Sequence, residues 1–418
     1  MPEQTESTPP SISPTLEKHQ RNWKKILLIL LILGISVSLV GVGIYFYGSG
    51  AKSLPSKKVQ TKKTPETPKE HPLKNKIIYT KSIITDQKYT TDTGIERNSI
   101  DTDIYAMNLD GTGETKIYDV ELNSTVPKAA LSPNHNYLAW IKDGLEDQLK
   151  LLLINSNKKE LVKTIGPFGE IIRYRFSPDE TKIALVIDSN FQNKNDSLKL
   201  LIFDVQTTKK LYEFDNKTTD SIFVSLDWLD NNSVISSAKN EKGGYIASYS
   251  LNSKLELKGI IIPTIENIGG FRLELNDSRD KIAFSKFVVS DEDYYKSQIW
   301  ISNTDGSNTE KISQFGFWYI NSLAFSPDDK WIGVTSHNAE ATFFHLANIE
   351  SGKIIENTNP YFGIHWLLDG KKFVTVNGVY SNQLVIVGLD GKIEKELTSL
   401  SSQKVGEVSS YGLIGVIQ

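Results

Sequence analysis

The chain has 418 residues, of which 39% are hydrophobic, 10% aromatic and 23% charged, and its formal net charge is -3. These proportions are those of a globular protein and exclude a mostly disordered, collagenous or multi-span membrane chain. The sequence contains no cysteine, which excludes disulfide bonds, thiolate metal sites and a cysteine nucleophile.

The amino-terminal part of the sequence is typical of a membrane anchor. Residues 1–25 form a short polar tail, which we predict to be cytoplasmic. Residues 26–47 carry no charge, and as a helix they would span about 33 Å, enough to cross a bilayer. The run is longer than the apolar region of a cleaved signal peptide, and it ends in Tyr-Phe-Tyr where a small-residue cleavage site would be expected. We therefore predict a transmembrane helix, with a cleaved signal peptide or a buried core helix as alternatives.

Basic residues lie on both sides of the predicted anchor, so they indicate its orientation only weakly. A long domain after a short tail fits translocation, and we predict that the body lies outside the cytoplasm. Residues 48–75 are rich in Lys, Pro, Thr and Ser and predict an unpacked basic linker. From Ile77 onward the net charge is -10, which disfavours nucleic-acid binding.

The body, residues 76–418, repeats one pattern: an alternating strand, a tight polar turn and a second apolar strand. The clearest copies lie at 129–141, 174–187 and 323–334, and weaker copies lie at 226–236, 273–285 and 364–376. Their turns are spaced 41 to 52 residues apart and begin at Ser132, Ser177, Leu229, Asn276, Ser326 and Leu367. A repeat of this length predicts the blades of a β-propeller.

A second hairpin follows each copy, and a further hairpin at 103–118 precedes the first turn. Seven units fit the length better than six, so we predict an all-β, seven-bladed β-propeller, with six or eight blades as alternatives. The first unit lacks an innermost strand, and residues 405–418 are left over at the end of the chain. We predict that this tail completes the first blade and closes the ring without an exposed sheet edge.

The FSPD turns at 176–179 and 325–328 and the hairpin at 299–306 resemble the repeats of TolB-type, WD-like β-propellers. The resemblance covers residues 77–418 and implies a propeller that is commonly extracytoplasmic. Similar propellers occur in prolyl-oligopeptidase-type enzymes, but the catalytic domain of those enzymes has no counterpart in this sequence. The motif does not specify a function, because it reflects turn geometry: proline fixes φ, and Asp or Asn caps the turn.

Motifs of catalysis and metal binding are missing from the sequence. It contains no nucleophile elbow, zinc-protease motif, phosphate-binding loop or dinucleotide fingerprint. Its six histidines are scattered without the spacing of metal ligands. The Asp-Gly turns lack the carboxylate series of a calcium loop and are explained by hairpins. We therefore predict no metal, no cofactor and no catalytic residue.

Polar and charged residues alternate with apolar ones on the predicted innermost strands. Strands deep in a propeller have only the axial channel in which to place polar side chains. A ring of mutual ion pairs explains the pattern, and a site for an anion or a peptide carboxylate is the alternative. The candidate ligand-binding residues are Lys128, Arg173, Arg175, Asp227, Arg272, Glu274 and His365.

Three long connections between second and third strands, at 85–103, 188–199 and 286–298, are predicted to be loops on one rim. Exposed aromatic residues on such loops are frequent anchors for partners. The candidate partner-binding residues are therefore Tyr89, Phe191, Tyr294 and Tyr295.

The predicted function is that of a membrane-anchored, extracytoplasmic, non-catalytic binding or scaffold module for a protein, peptide or envelope ligand. Two other classes stay open: a lyase or hydrolase acting in the channel through His365 with Glu274 or Asp227, and a structural envelope protein. A hydrogen bond between the histidine and one of these carboxylates would favour the enzyme.

Overall fold

Alternation of apolar and polar residues along the body produces β-strands. The computed structural model describes residues 70–418 except for short gaps, which are 91–93, 95, 121–127, 143–145, 156–160, 189–197, 216–221, 241–242, 253, 266–271, 290–294, 314–318, 338–341, 358, 379–382 and 402–403. The described residues form 28 strands, which pair into seven antiparallel sheets of four strands each. The prediction of an all-β, seven-bladed propeller is therefore confirmed.

The predicted transmembrane helix at 26–47 and most of the predicted linker lie outside the described residues. Within the part of the chain that the structure describes, no helix is long and apolar enough to span a bilayer. The anchor therefore stays a prediction from the sequence.

Blade I joins the two ends of the body. Its strands, from the axis outward, are β28 (Val408–Ile417), β1 (Lys76–Thr90), β2 (Glu96–Asn108) and β3 (Thr115–Tyr118). β28 pairs antiparallel with β1, from Lys76 opposite Ile417 to Ile83 opposite Val408. The prediction that the carboxyl-terminal tail completes the first blade is confirmed.

Blades II to VII each consist of four consecutive strands, and the first strand of each blade lies beside the first strands of its neighbours, around the axis. Blades II, III and IV contain β4 (Ala130–Leu131), β5 (Tyr137–Lys142), β6 (Asp147–Leu153), β7 (Leu161–Phe168), β8 (Glu170–Phe176), β9 (Lys182–Asp188), β10 (Leu198–Asp204), β11 (Lys210–Asp215), β12 (Ile222–Asp230), β13 (Ser233–Asn240), β14 (Gly243–Leu251) and β15 (Leu255–Ile265). Blades V, VI and VII contain β16 (Leu273–Leu275), β17 (Lys281–Val289), β18 (Tyr295–Asn303), β19 (Glu310–Lys311), β20 (Tyr319–Phe325), β21 (Trp331–His337), β22 (Thr342–Asn348), β23 (Ile354–Asn357), β24 (Tyr361–Trp366), β25 (Lys372–Asn377), β26 (Gln383–Gly388) and β27 (Ile393–Glu396).

The polar turns of the repeat join the first and second strands of blades II to VII. In blade III the Ser177 hydroxyl accepts the Lys182 N–H at 2.9 Å and donates to the Asp179 carboxylate at 2.6 Å. Ser326 accepts the Trp331 N–H in the same way in blade VI. A serine at the first turn position therefore closes the turn, because its hydroxyl satisfies a backbone donor five residues later.

The hydrophobic core lies between neighbouring blades, where the apolar faces of successive sheets pack together. Buried tryptophans also tie the innermost strands to one another. The Trp228 ring N–H of blade IV donates to the Arg175 carbonyl of blade III at 2.9 Å. The Trp366 ring N–H of blade VII donates to the Ala324 carbonyl of blade VI at 3.2 Å. These contacts fix the position of each innermost strand at the axis.

The strand order gives the propeller two different rims. The AB rim carries the turns between first and second strands and those between third and fourth strands. The BC rim carries the connections between second and third strands and those between blades. All three long connections identified in the sequence belong to the BC rim.

Two of these connections are paired hairpins, so the prediction of loops was wrong for them. β1 and β2 stay paired as far as Thr90 and Glu96, and β17 and β18 stay paired as far as Val289 and Tyr295. The Thr, Ile, Val and Tyr residues in these segments favour strands, which explains the extension. The third connection, 188–199, lies largely outside the described residues.

Candidate functional site

The charged residues of the channel come from three neighbouring blades. Blade III supplies Arg173 and Arg175 from β8, and blade IV supplies Asp227 from β12. Blade V supplies Glu274 from β16 and Arg272 from the position before it. Each alternates with a buried apolar residue on its strand, as the period of two requires. The sequence pattern therefore becomes one charged wall of the channel.

Small residues line the facing wall of the channel. Ala130 of blade II, Ala324 of blade VI and Gly363 of blade VII all lie there. Gly363 has φ of 68°, and a Cβ atom at this position would meet no atom within 4 Å. The channel is thus charged on one side and open on the other, which leaves space for a ligand.

A cavity of about 430 Å³, here called the AB chamber, lies towards the AB rim. Its described charged residues are Arg175, Asp227, Glu274, Asp277 and Arg279. The Arg279 guanidinium lies 3.5 Å from the Asp227 carboxylate, and the Arg175 guanidinium lies 3.7 Å from the Glu274 carboxylate. Both arginines of this chamber are therefore paired with an acid.

A smaller cavity of about 250 Å³, here called the BC chamber, lies towards the BC rim. Its described lining includes three arginines, Arg173, Arg175 and Arg272, and one carboxylate, that of Glu274. The Arg272 Nε–H donates to the Asn321 carbonyl at 2.7 Å. The Arg173 guanidinium forms no hydrogen bond or ion pair with any residue that the structure describes.

Arg173 is half-buried beside Arg175 and Arg272, and the negative charge of Glu274 opposes only part of the effect of its surroundings. Loss of hydration, followed by repulsion from Arg272 and Arg175, lowers the pKa of Arg173 to about 10, so it stays charged at neutral pH. An enclosed cation without a partner destabilises a protein, and an anion beside it would remove that penalty. The planar guanidinium also suits carboxylates, which it binds through two parallel hydrogen bonds.

Glu274 lines both chambers and stands between them. Its side chain keeps 31% exposure to the channel, yet the surrounding protein removes enough of its hydration to raise the pKa of Glu274 to about 7. The positive charge of Arg175 opposes this rise in pKa, and the negative charge of Asp227 adds to it. Glu274 therefore changes protonation state near neutral pH.

His365 lines the BC chamber without a carboxylate partner. No hydrogen bond joins it to Glu274 or Asp227 in the described part of the chain. Burial lowers the pKa of His365 to about 4, so its ring is neutral at physiological pH. The described residues also contain no group of three His, Asp or Glu side chains that could hold a metal ion.

Lys128 differs from the other six candidate ligand-binding residues, because it lies outside the lining of both chambers. β4 begins only at Ala130, and Lys128 has φ of 52°, so the alternation of the strand does not extend to it. Its amine instead donates to the Ile171 carbonyl at 3.1 Å.

Two residues of the channel, Arg279 and Asn321, were not predicted from the sequence. Arg279 is the fourth residue of a polar turn with φ of 61°, and its side chain returns to the axis to pair with Asp227. Asn321 contributes only its backbone carbonyl, which no side-chain pattern reveals.

The candidate partner-binding residues are described only in part. Tyr89 lies on the long hairpin of blade I and is 39% exposed. Tyr295 is the first residue of β18, whereas Phe191 and Tyr294 lie outside the described residues. The hairpins that carry Tyr89 and Tyr295 belong to the same rim as the BC chamber.

No family model matches this chain, and no curated protein sequence matches it. Solved structures similar to it include TolB from Acinetobacter baumannii, with 14% identity over 80% of this chain and 83% of that chain and a TM-score of 0.44. The β-propeller domain of the Trilobed protease from Pyrococcus furiosus has 13% identity over 78% and 96%, with a TM-score of 0.50. A functionally unknown protein from Desulfotomaculum acetoxidans has 11% identity over 75% and 96%, with a TM-score of 0.51. The similarity to the Pyrococcus domain supports the propeller fold and carries no information on ligands.

Proposed function

We propose that this protein is a membrane-anchored, extracytoplasmic binding module that takes an anionic group of its ligand into the BC chamber and does no chemistry on it. The observation that carries this proposal is the Arg173 guanidinium, unpaired among the described residues and close enough to Arg272 for repulsion to lower its pKa. A bound anion would accept hydrogen bonds from the guanidinium groups of Arg173 and Arg272 at once. It would thereby offset the repulsion between the two positive charges in the folded protein.

The charge of the surroundings makes such a site selective. The body carries a net charge of -10 from Ile77 onward, so its surface repels anions in general. The described lining of the BC chamber has three arginines against one glutamate and attracts an anion locally. A single anionic group that fits the channel is therefore favoured over an extended polyanion, which would contact the acidic surface.

The size of the BC chamber limits the part of the ligand that enters it. About 250 Å³ is below the range of drug-sized ligand pockets, which begin at about 300 Å³. The chamber therefore suits a small anion or the carboxylate end of a larger chain. In this proposal a protein or peptide partner lies on the BC rim, against the Tyr89 and Tyr295 hairpins, and places a carboxylate in the channel.

The amino-terminal part of the sequence is consistent with a propeller that is attached to a membrane. Residues 26–47 hold the chain in the bilayer in this proposal. In the sequence, the predicted basic linker at 48–75 follows this segment and precedes the propeller.

Isothermal titration calorimetry with N-acetylglycine tests the anion site, because this probe has the carboxylate of a peptide carboxyl terminus and no ammonium group. The full-length chain should bind it, and Arg173→Ala should lower the affinity at least about tenfold by removing a charge-assisted contact. Lys258→Ala is the control, since it removes an exposed positive charge of β15, outside both the chamber and the proposed partner surface. Equal affinity in Arg173→Ala, or no binding by the unaltered chain, contradicts the proposal.

A further inference from the structure

Arg175 belongs to both chambers and faces two competing anions in the proposed complex. Its guanidinium lies 3.7 Å from the Glu274 carboxylate, a distance of Coulombic attraction without a hydrogen bond. The same guanidinium lines the BC chamber together with Arg173 and Arg272. An anion that enters this chamber therefore competes with Glu274 for Arg175.

We propose that Glu274 determines the specificity of the anion site by taking up one proton from solvent as the anion enters and donating the resulting O–H to it. This inference rests on the proposed anion binding. In the complex, the Arg175 guanidinium interacts with the ligand anion instead of the Glu274 carboxylate. Glu274 is then protonated and acts as a neutral hydrogen-bond donor. The site then favours a ligand that stays ionised and accepts hydrogen bonds, as a carboxylate does.

Loss of hydration and the negative charge of Asp227 favour protonation of Glu274, whereas the positive charges of the neighbouring arginines oppose it. The described charged and titratable groups that line the two chambers with it are Arg173 and Arg175 on β8, Asp227 on β12, Arg272 before β16, Asp277 and Arg279 in the turn after β16, and His365 on β24. Burial already raises the pKa of Glu274 to about 7 before any ligand is present. A second negative charge in the same chamber raises the pKa of Glu274 further, because like charges disfavour ionisation.

Two of the neighbouring groups do not change protonation near neutral pH. The pKa of Arg173 is lowered only to about 10, so this arginine keeps its proton. The pKa of His365 is lowered to about 4 by burial, so its ring has already lost its proton. Proton uptake between about pH 6 and pH 8.5 would therefore report on Glu274.

Anion binding and protonation of Glu274 favour each other in this proposal. The complex binds more protons than the free protein, so the affinity falls as the pH rises above the pKa of free Glu274. Between about pH 6 and pH 8.5 the affinity of the full-length chain for N-acetylglycine should fall about tenfold. Glu274→Gln keeps a donor but cannot titrate, so its affinity should stay constant over the same range.

Calorimetry at about pH 7.5 in two buffers of different ionisation enthalpy counts the protons taken up on binding. N-acetylglycine and sulfate are the probes, because neither titrates near this pH. The full-length chain should take up a substantial fraction of one proton with either probe, and Glu274→Gln should take up none. Glu256→Gln, at an exposed position of β15, is the matched control and should behave like the unaltered chain.

The outcomes separate the two proposals. No binding of either probe overturns the anion site and this inference with it. Binding without proton uptake by the unaltered chain overturns the role of Glu274 alone, whether or not Glu274→Gln folds. Equal proton uptake by the unaltered chain and a folded Glu274→Gln assigns the proton to another group and also overturns it.

Discussion

The two rims of the propeller use their polar groups in different ways. On the AB rim, the turns of neighbouring blades bond to each other. The Glu180 carboxylate of blade III accepts the Asn134 N–H of blade II at 2.7 Å, and the Asn276 amide of blade V donates to Asp329 of blade VI at 2.9 Å. Towards the BC rim, Arg173 has no partner among the described residues. One rim satisfies its charges within the fold, and the other leaves a charge available.

This difference indicates which rim stabilises the molecule and which one binds. Groups that bond between blades raise the free energy of unfolding, because they are lost when the blades separate. An unpaired, partly dehydrated arginine lowers it, and such residues persist mainly where function requires them. The comparison therefore predicts that changes on the AB rim reduce stability without reducing binding, and that changes in the BC chamber do the opposite.

The largest effect on stability is expected from removing β28, the strand that closes the ring of blades. Deletion of residues 404–418 removes β28, including the buried side chains of Tyr411, Ile414 and Ile417. At about 1.5 to 3 kcal/mol for each buried side chain, the loss approaches the whole stability of a typical domain. We expect far-UV circular dichroism of the truncated chain to show a strongly lowered melting temperature or no folded state.

Deletion of residues 1–15 is the control for this truncation, because it removes equally many residues and none of the described strands. The control should melt like the full chain. If the chain without 404–418 melts at the same temperature as the full chain, the stability of the propeller does not depend on closure by β28. The contributions of the two rims to stability could then not be compared within one closed ring.

A smaller effect is expected when one contact between blades is removed on the AB rim. Glu180 is buried, and Glu180→Ala removes the acceptor of the Asn134 N–H and leaves that donor without its partner. We expect a loss of about 2 to 3 kcal/mol in the free energy of unfolding, measured with urea. Affinity for N-acetylglycine should not change, because the contact lies away from the BC chamber.

Glu256→Ala tests whether burial or charge decides this result. Glu256 is exposed and pairs with Lys254 at 2.8 Å, and surface ion pairs of this kind contribute little to stability. It should therefore destabilise the protein much less than Glu180→Ala. If the Glu180→Ala protein is as stable as the Glu256→Ala protein, the contacts between blades on the AB rim do not stabilise the fold as predicted.

The fold was predictable from the sequence because the repeat is local. Serine at the first turn position and proline at the second specify a chain reversal wherever they occur, as at Ser177 and Ser326. The six turns and the further hairpin at 103–118 together indicate seven blades. The long BC hairpins were not predictable from turn residues alone, because the pairing that extends β1 and β2 to Thr90 and Glu96 depends on strand propensity across both segments.

The candidate site was predictable only where strand alternation applies. Arg173, Arg175 and Glu274 lie on innermost strands, and the period of two placed them in the channel. Lys128 precedes its strand with φ of 52°, so the same reasoning failed there. Arg279 reaches the axis from a turn in the left-handed region, where no periodicity specifies the direction of a side chain.

The smallest effect in this comparison is the pH-dependent gain of stability that Glu274→Gln gives to the ligand-free protein. The pKa of Glu274 is raised to about 7 in the folded state, whereas an unfolded glutamate titrates near its usual value of about 4.5. Between these values the folded state binds more protons than the unfolded state, so this carboxyl makes the folded protein less stable as the pH rises. Glu274→Gln lacks the carboxyl, and its stability relative to the unaltered chain should therefore increase from about pH 5 to about pH 8.

The upper bound for this difference is about 3 kcal/mol, and water in the channel reduces it, so we expect on the order of 1 kcal/mol in urea unfolding at the higher pH. Glu256→Gln should show no such dependence on pH, since its side chain is exposed in β15. If Glu274→Gln instead loses stability relative to the unaltered chain as the pH rises, the Arg175 ion pair outweighs the loss of hydration. Glu274 would then stabilise the channel as Glu180 stabilises the AB rim, and the contrast between the two rims would not extend to it.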